Sequence, residues 1–170
     1  MYNLKNNTIM KTLVLSVVFA VTSIVNAVNN NSLEGFAYNT RMNGDRVETK
    51  NVYKVKENKY LQNHLQYNYA YDAEGRVSSK EVSKWSKGNQ RFEKQYCLNF
   101  SYGGGEVNVE YAAWNSKDNA YTDVKTKAVY QINGMGVNYQ SYEWNKKESS
   151  WNLMVEHSTQ PEEIILFAEK

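Results

Sequence analysis

The sequence predicts an all-β protein, an antiparallel meander of about ten short strands, and three observations support this fold class. Trp85, Trp114 and Trp144 recur every 29 or 30 residues. A glycine precedes each tryptophan by ten residues, and an aromatic residue follows each by seven. Between these positions apolar and polar residues alternate, as they do in strands that bury one face.

These spacings divide the chain into four hairpin copies, of which the first is the weakest. In the third of these copies, residues 91–101 alternate so that the apolar residues from Phe92 to Phe100 share one face. Gly104 and its two glycine neighbours then supply the positive φ angles of a tight turn. Residues 106–114 return as the next strand and end in a polar turn at 115–119, after which Tyr121 opens another strand.

Tight turns force neighbouring strands to pair antiparallel. Ten strands that twist by about 20° each accumulate roughly 200°, so we expect a strongly twisted or curled sheet, either an open half-barrel or a single-layer ribbon. A β-sandwich is the alternative. Val107 and Trp114 lie seven positions apart, so either a bulge separates them or both faces of the sheet carry aromatic residues. Residues 164–168 are predicted to form the last strand.

Residues 1–27 are predicted to be an export signal. A short positive region ends at Lys11, an apolar run follows from position 13 to 21, and Val25-Asn26-Ala27 matches the small-residue pattern at which a signal peptidase cleaves. Met10 precedes Lys11 and fits a natural start, which makes residues 1–9 an upstream extension. The apolar run is shorter than the roughly 20 residues that a membrane-spanning helix needs.

Residues 28–170 are therefore expected to form a single β-domain, exported to the periplasm or the cell exterior. Val28 follows the cleavage site, where a lipoprotein would have a cysteine, so no lipid anchor is expected. Without Lys5 and Lys11 the chain has 18 basic and 18 acidic residues. Because the charges balance, we expect no electrostatic attraction to nucleic acid. The mature chain contains no second apolar run, so no membrane insertion is expected.

The sequence predicts no catalytic residue, metal site or cofactor site. His64 and His157 have no paired cysteines and no nucleophile motif beside them, and Cys97 has no neighbouring histidine in the pattern. Carboxylates on strands are the remaining catalytic option, because a glycosidase needs only two acids at a suitable separation. A small polysaccharide hydrolase is thus the alternative function. Its candidate acids are Glu93, Glu110, Glu143 and Glu156.

Aromatic residues are the main candidates for a binding surface. Each longer turn lies between two rings seven positions apart: Tyr53 and Tyr60, Trp85 and Phe92, Trp114 and Tyr121, Trp144 and Trp151. Such pairs can fix strand register, and they can also offer a ring face to a glycan or a protein. We therefore predict a non-enzymatic binding protein, with a structural spacer as a further alternative. The ligand-binding candidates are Trp85, Trp114, Tyr121, Trp144 and Trp151.

The segment from Tyr69 to Val77, with the sequence YAYDAEGRV, resembles the tyrosine–aspartate (YD) repeats of secreted and cell-surface proteins. The wider pattern, over residues 33–170 and the export signal, is similar to small exported Bacteroides-type proteins of unknown function with YD-like aromatic hairpins. The later copies depart from the full motif, reading FSYGGG from Phe100 and YQINGM from Tyr130. The resemblance implies a hairpin architecture and supplies no catalytic residues.

Overall fold

The computed structural model describes residues 35–57, 59–133 and 136–159. The predicted export signal at 1–27 and the predicted last strand at 164–168 lie outside these residues. The described residues form the following strands: β1 (Phe36–Asn43), β2 (Arg46–Lys56), β3 (Tyr60–Tyr71), β4 (Val77–Ser86), β5 (Arg91–Gly103), β6 (Glu106–Asn115), β7 (Ala120–Tyr121), β8 (Thr126–Asn133), β9 (Gly136–Asn145) and β10 (Ser150–Thr159).

The strands form one open antiparallel sheet in which, apart from the short β7, chain neighbours are also sheet neighbours. The order is β1-β2-β3-β4-β5-β6-β8-β9-β10, and the short β7 pairs with β6. The predicted all-β meander is confirmed, and the sandwich alternative is not found in the described part of the chain. In that part there is also no helix of the length and apolarity needed to cross a membrane.

One face of the sheet holds the hydrophobic core. Lys80 and Val82 are only 1% and 2% exposed, although a flat single layer would leave its side chains open to water on that side. Their burial indicates that the sheet curls around this face. The core consists of the following residues: Val52, Tyr67, Tyr69, Val77, Val82, Phe100, Val107, Val109 and Tyr130.

Two kinds of turn alternate along the meander and lie at opposite ends of the sheet. The short turns use glycine where φ is positive, as at Gly104 (+59°) and Gly105 (+80°) between β5 and β6. The four-residue turns at the other end finish on a polar residue with positive φ, namely Gln90, Asn119 or Ser149. Gly134, the third turn glycine of the sequence pattern, lies outside the described residues.

β-bulges recur in the strands that follow the longer turns. The register slips by one residue at His64 in β3, at Gln95 in β5 and at Met154 in β10. A larger interruption at residues 122–125 separates β7 from β8. Because a bulge bends its strand and increases the local twist, these irregularities promote the curl of the sheet.

The bulges correct two details of the predicted strands. Phe92 and Tyr96 do not share a face, because the bulge at Gln95 turns the start of β5 over. Tyr121 does not open one continuous strand, because residues 122–125 leave the ladder before β8 begins. The seven-residue spacing from Val107 to Trp114 places them on opposite faces, since β6 pairs with β5 without a slip, and both faces therefore carry aromatic rings.

Lys80 lies within the core face, with Nζ 3.9 Å from the ring centroid of Tyr67 and 5.8 Å from that of Tyr69. Burial, followed by the positive charge of Lys50, lowers the pKa of Lys80 to about 7. The rings offer the ammonium group a negative face, which offsets part of the cost of burying a charge. The core can therefore hold Lys80, because its lowered pKa lets the side chain lose its charge near neutral pH.

We predict that Gly104→Val destabilises the protein by about 1–2 kcal/mol, because a β-branched residue resists positive φ. An added Cβ at Gly104 meets nothing within 4 Å, so the cost is one of backbone conformation alone. Gly103→Val is the matched control, since Gly103 also has open space and no positive φ. Urea unfolding measures both variants, and equal stability of the two would contradict the turn geometry.

We also predict that stability rises between pH 7 and pH 9 through Lys80. Its folded pKa of about 7 lies below the ordinary 10.5, so the unfolded chain binds more protons in this window and folding gains about 2 kcal/mol as the pH rises. Lys80→Met should flatten this increase, whereas Lys84→Met, an exposed lysine on the same strand, should keep it. Identical pH profiles for Lys80→Met and the unsubstituted protein would refute the prediction.

Candidate functional site

The ends of the hairpins project beyond the continuous sheet. The last pair that joins the first hairpin to the second is Leu65 with Lys84, whereas pairing within the second hairpin continues to Ser86 with Arg91. Neighbouring hairpins therefore separate at this end of the sheet. We call these ends the hairpin tips, first to fourth in chain order: residues 53–63, 85–92, 114–121 and 144–151.

The second, third and fourth tips each carry a pair of aromatic rings across the hairpin. The rings meet edge to face, with centroids 5.0, 5.0 and 5.2 Å apart. All six rings are half-buried, so they contact one another and still reach water. The pairs are Trp85 with Phe92, Trp114 with Tyr121, and Trp144 with Trp151. All five predicted ligand-binding candidates thus lie on hairpin tips.

The first tip lacks the predicted pair of Tyr53 and Tyr60. Its turn comprises only residues 57–59, so Tyr60 pairs with Lys56 and Tyr53 pairs with Asn63. Tyr60 is 56% exposed. The predicted ring pair is wrong here because this turn begins four residues after Tyr53, whereas the other turns begin two residues after the first ring, and the later turn moves the two tyrosines out of register.

A charged network connects the sheet to the ring pair of the third tip. Lys94 on β5 places Nζ 2.7 Å from Glu81 Oε2, and the hydroxyl of Tyr121 donates a hydrogen bond to the same oxygen at 2.6 Å. The lysine also lies 4.8 Å from the ring centroid of Trp114 and 5.6 Å from that of Tyr121. One cation thus bridges two hairpins and holds the third tip against the sheet.

A second lysine contacts the rings at the fourth tip. Lys127 Nζ lies 4.6 Å from the ring centroid of Trp151 and 5.3 Å from that of Tyr142. Each of these lysines comes from the hairpin that precedes the tip it contacts. Lys94 is the residue before the bulge of β5, and the residue before the bulge of β3, next to the second tip, is Asn63.

The electrostatics of the Glu81 network follow from its contacts. Burial alone would raise the pKa of Glu81, but hydrogen bonds from Lys94 and Tyr121 outweigh it and hold the pKa below its ordinary value. Burial, then the carboxylate of Glu81, raises the pKa of Tyr121, so its phenol stays protonated and remains a donor. The carboxylate is held ionised by donors from two neighbouring hairpins.

A cavity of about 310 Å³ lies where the first and second tips separate. A recess of about 470 Å³, which includes Trp144 and Glu143, lies on the fourth tip. The first cavity was not predicted, because its residues come from two hairpins and look like ordinary surface lysines in the sequence. It is lined by Lys54, Lys56, Gln62, Asn63, His64, Lys84, Trp85 and Lys87.

The remaining reactive side chains lie apart from one another. His64 stacks near Phe36 with a centroid distance of 5.8 Å, and His157 is exposed on β10. Cys97 is buried, and burial, followed by the charge of Glu81, raises the pKa of its thiol. Among the described residues, no group of three or more histidine, cysteine or acidic side chains could hold a metal ion.

The four strand carboxylates of the hydrolase alternative are distributed over four strands. Glu93 accepts a hydrogen bond from Asn89 at 2.6 Å. Glu110 lies opposite Lys127 in the ladder, and Glu156 accepts a hydrogen bond from the side chain of Gln140. Glu143, the fourth, lines the recess of the fourth tip.

We predict that Tyr121→Phe destabilises the protein by about 1 kcal/mol at pH 7, because Glu81 loses a donor to its charge. The folded pKa of Glu81 is lowered, so its stabilising effect is present above the ordinary carboxyl pKa and is lost as the pH falls. The difference between variant and parent should therefore shrink toward pH 3. Tyr142→Phe is the control, since Tyr142 donates to the neutral amide of Gln140 at 2.8 Å, and its effect should not depend on pH.

Three solved structures resemble the chain. A protein of unknown function from Bacteroides fragilis aligns with a TM-score of 0.63 and 21% identity, over 77% of this chain and 96% of the other. A protein from Parabacteroides distasonis aligns with a TM-score of 0.53 and 21% identity, over 56% of this chain and 89% of the other. A protein from Bacteroides vulgatus aligns with a TM-score of 0.48 and 30% identity, over 51% of this chain and 87% of the other. The first two support the fold.

The sequence comparisons are consistent with these structures. The Parabacteroides and Bacteroides vulgatus proteins are described as members of the DUF3836 family. No curated protein matches the chain. Residues 4–132 match the family described as a family of unknown function, DUF3836. Because the match covers most of the sequence, this chain belongs to the DUF3836 family.

Proposed function

We propose that this protein is an exported, non-enzymatic binding protein of the cell envelope or exterior, and that its hairpin tips bind a glycan. The observation that supports this proposal is the row of half-buried ring pairs on the second, third and fourth tips. Tryptophans that keep part of one ring face open to water can stack on sugar rings, because an apolar ring face can cover the C–H face of a sugar.

The spacing of the tips suits an extended ligand. Trp85, Trp114 and Trp144 lie on β4, β6 and β9, and each is two strands from the next in the sheet. Strands in a sheet are about 4.8 Å apart, so equivalent rings are at least roughly 10 Å apart, and further where the tips separate. That distance spans two or more sugar units, which favours a polysaccharide chain over a single monosaccharide.

The proposed location follows from the amino terminus of the sequence. The pattern in residues 1–27 favours export with cleavage before Val28, and the absence of a cysteine at that position favours a protein without a lipid anchor. A glycan ligand is consistent with this location, because polysaccharides are abundant at cell surfaces. Neither nucleic acid nor a membrane surface is the proposed partner.

We predict that the protein binds an oligosaccharide or polysaccharide on a glycan array, and that Trp144→Ala weakens binding to that glycan at least about tenfold, a loss of roughly 1.4 kcal/mol. Iodide should quench part of the tryptophan fluorescence of the free protein, and the bound glycan should protect it. Affinities are measured well below the melting temperature of each variant, so that loss of folding does not mimic loss of binding.

The control for this experiment is Tyr38→Ala. Tyr38 is an exposed aromatic residue on β1 that does not belong to a hairpin tip, so its removal should leave affinity within about twofold. Tryptophans that iodide cannot reach would contradict the proposal, because the rings would then serve as packing alone. That result would instead support the alternative that the protein is a structural spacer.

A further inference from the structure

We propose that the cavity between the first and second tips is the binding site for an acidic sugar, one that carries a carboxylate or a sulfate group. The inference rests on the proposed glycan-binding function and specifies its ligand class. It assigns the cavity a role in ligand recognition that neither the family match nor the ring pairs contain.

Positive charge is concentrated in this cavity. Its lining includes four lysines, Lys54 and Lys56 from β2, Lys84 from β4 and Lys87 from the second turn, and among the described residues it includes no acid. The chain as a whole has a formal charge of only +2, so this clustering is local and does not follow from composition. Clustered cations within a concave surface raise the local concentration of anions.

The nearest acid on the adjoining strand faces other partners. Glu93 lies opposite Lys84 in the β4–β5 ladder, but its carboxylate accepts a hydrogen bond from Asn89 at 2.6 Å and lies 3.6 Å from Arg91. These contacts hold Glu93 at the base of the second turn. It therefore neutralises only part of the positive charge at this end of the sheet.

The fold creates the cavity by separating two hairpins. Strand pairing between β3 and β4 stops at Leu65 with Lys84, while each hairpin continues to its own turn. Next to the third tip, the equivalent place is bridged by Lys94, which contacts both Glu81 and the rings. At the second tip the corresponding residue, which also precedes the bulge of its strand, is Asn63, and it lines a cavity of about 310 Å³.

The other lining groups match the chemistry of a sugar. Trp85 packs edge to face against Phe92 and remains half-buried, so part of its indole surface can stack on a sugar ring. Gln62 and Asn63 provide carboxamides, which can donate to and accept from hydroxyl groups. The volume lies at the lower end of ligand pockets, which suits about one or two sugar units.

An acidic glycan fits these features better than a nucleic acid does. Proteins that bind single strands follow the phosphate backbone with a continuous basic groove. Here the lysines surround one compact cavity, and the third tip that follows it pairs its nearest lysine with Glu81. The surface thus places four lysines beside the half-buried ring of Trp85, an arrangement that can bind the acidic group of a glycan and stack on its sugar ring.

The test compares matched polymers on the full protein by calorimetry: dextran, dextran sulfate, polygalacturonate and a single-stranded oligonucleotide. We expect dextran sulfate or polygalacturonate to bind at least about tenfold more tightly than dextran, with affinity falling as salt increases. The two acidic polymers distinguish a sulfate from a carboxylate ligand. Lys54→Gln combined with Lys84→Gln should abolish this preference. The matched control is Arg41→Gln combined with Lys125→Gln, exposed cations outside both the cavity and the hairpin tips.

Each outcome decides the inference. Equal binding of neutral and acidic polymers, or equal losses in both double variants, would overturn the acidic-sugar site while leaving glycan binding intact. Oligonucleotide binding that is tighter than polysaccharide binding would assign the cavity to nucleic acid instead. If neither these polymers nor any glycan on the array binds, the proposed function itself fails. Selective loss of acidic-polymer binding in Lys54→Gln/Lys84→Gln alone would support the site.

Discussion

A sheet of one layer must bury its apolar face without a second layer to cover it, and this constraint determines much of the structure. The described strands solve it by curling, so that large side chains from distant hairpins meet on one face. Tyrosines such as Tyr67 and Tyr130 suit this task because their rings span wide gaps and their hydroxyl ends tolerate water. Even Lys80 contributes, since its long aliphatic stem fills space between rings.

The bulges contribute to the curl of the sheet and also shape the surface on which we propose that the ligand binds. A bulge at Gln95 or at Met154 turns the strand over at the base of a tip, which lets the rings beyond it pair on the face opposite the core. The sheet and the tips are therefore built by different contacts. Pairing across hairpins holds the sheet, whereas ring pairs and lysine contacts such as that of Lys94 hold the tips.

Much of the fold could be predicted from the sequence, because turns and alternation leave local signals. Gly104 marks a positive φ angle, and the seven-residue spacing from Trp85 to Phe92 marks a hairpin of fixed length. The bulge at Gln95 could not be predicted, since any residue type can occupy it. The displaced pair of Tyr53 and Tyr60 could not be predicted either, because the first turn begins later along the chain, which changes the register without changing the spacing of the tyrosines.

The site was only partly predictable for a different reason. The ring pairs of the tips could be predicted from the regular spacing of aromatic residues in the sequence. The basic cavity could not, because Lys54 and Lys84 come from two different hairpins and the nearly balanced charge of the whole chain gives no sign of a local cluster. A useful signal would have been the local excess of lysine in residues 54–59 and 84–87. These residues form a candidate site because the fold brings them close together in space, and amino-acid composition does not reveal that proximity.

The open meander also has a mechanical consequence. Among the described residues β1 and β10 form opposite edges of the sheet, and every strand between them, apart from the short β7, is hydrogen-bonded on both sides. Tension applied to the two ends of the described chain would load the edge strands first, because β1 and β10 each have a hydrogen-bonded neighbour on one side only. The domain would then lengthen in steps, as strands leave the sheet from its edges inward.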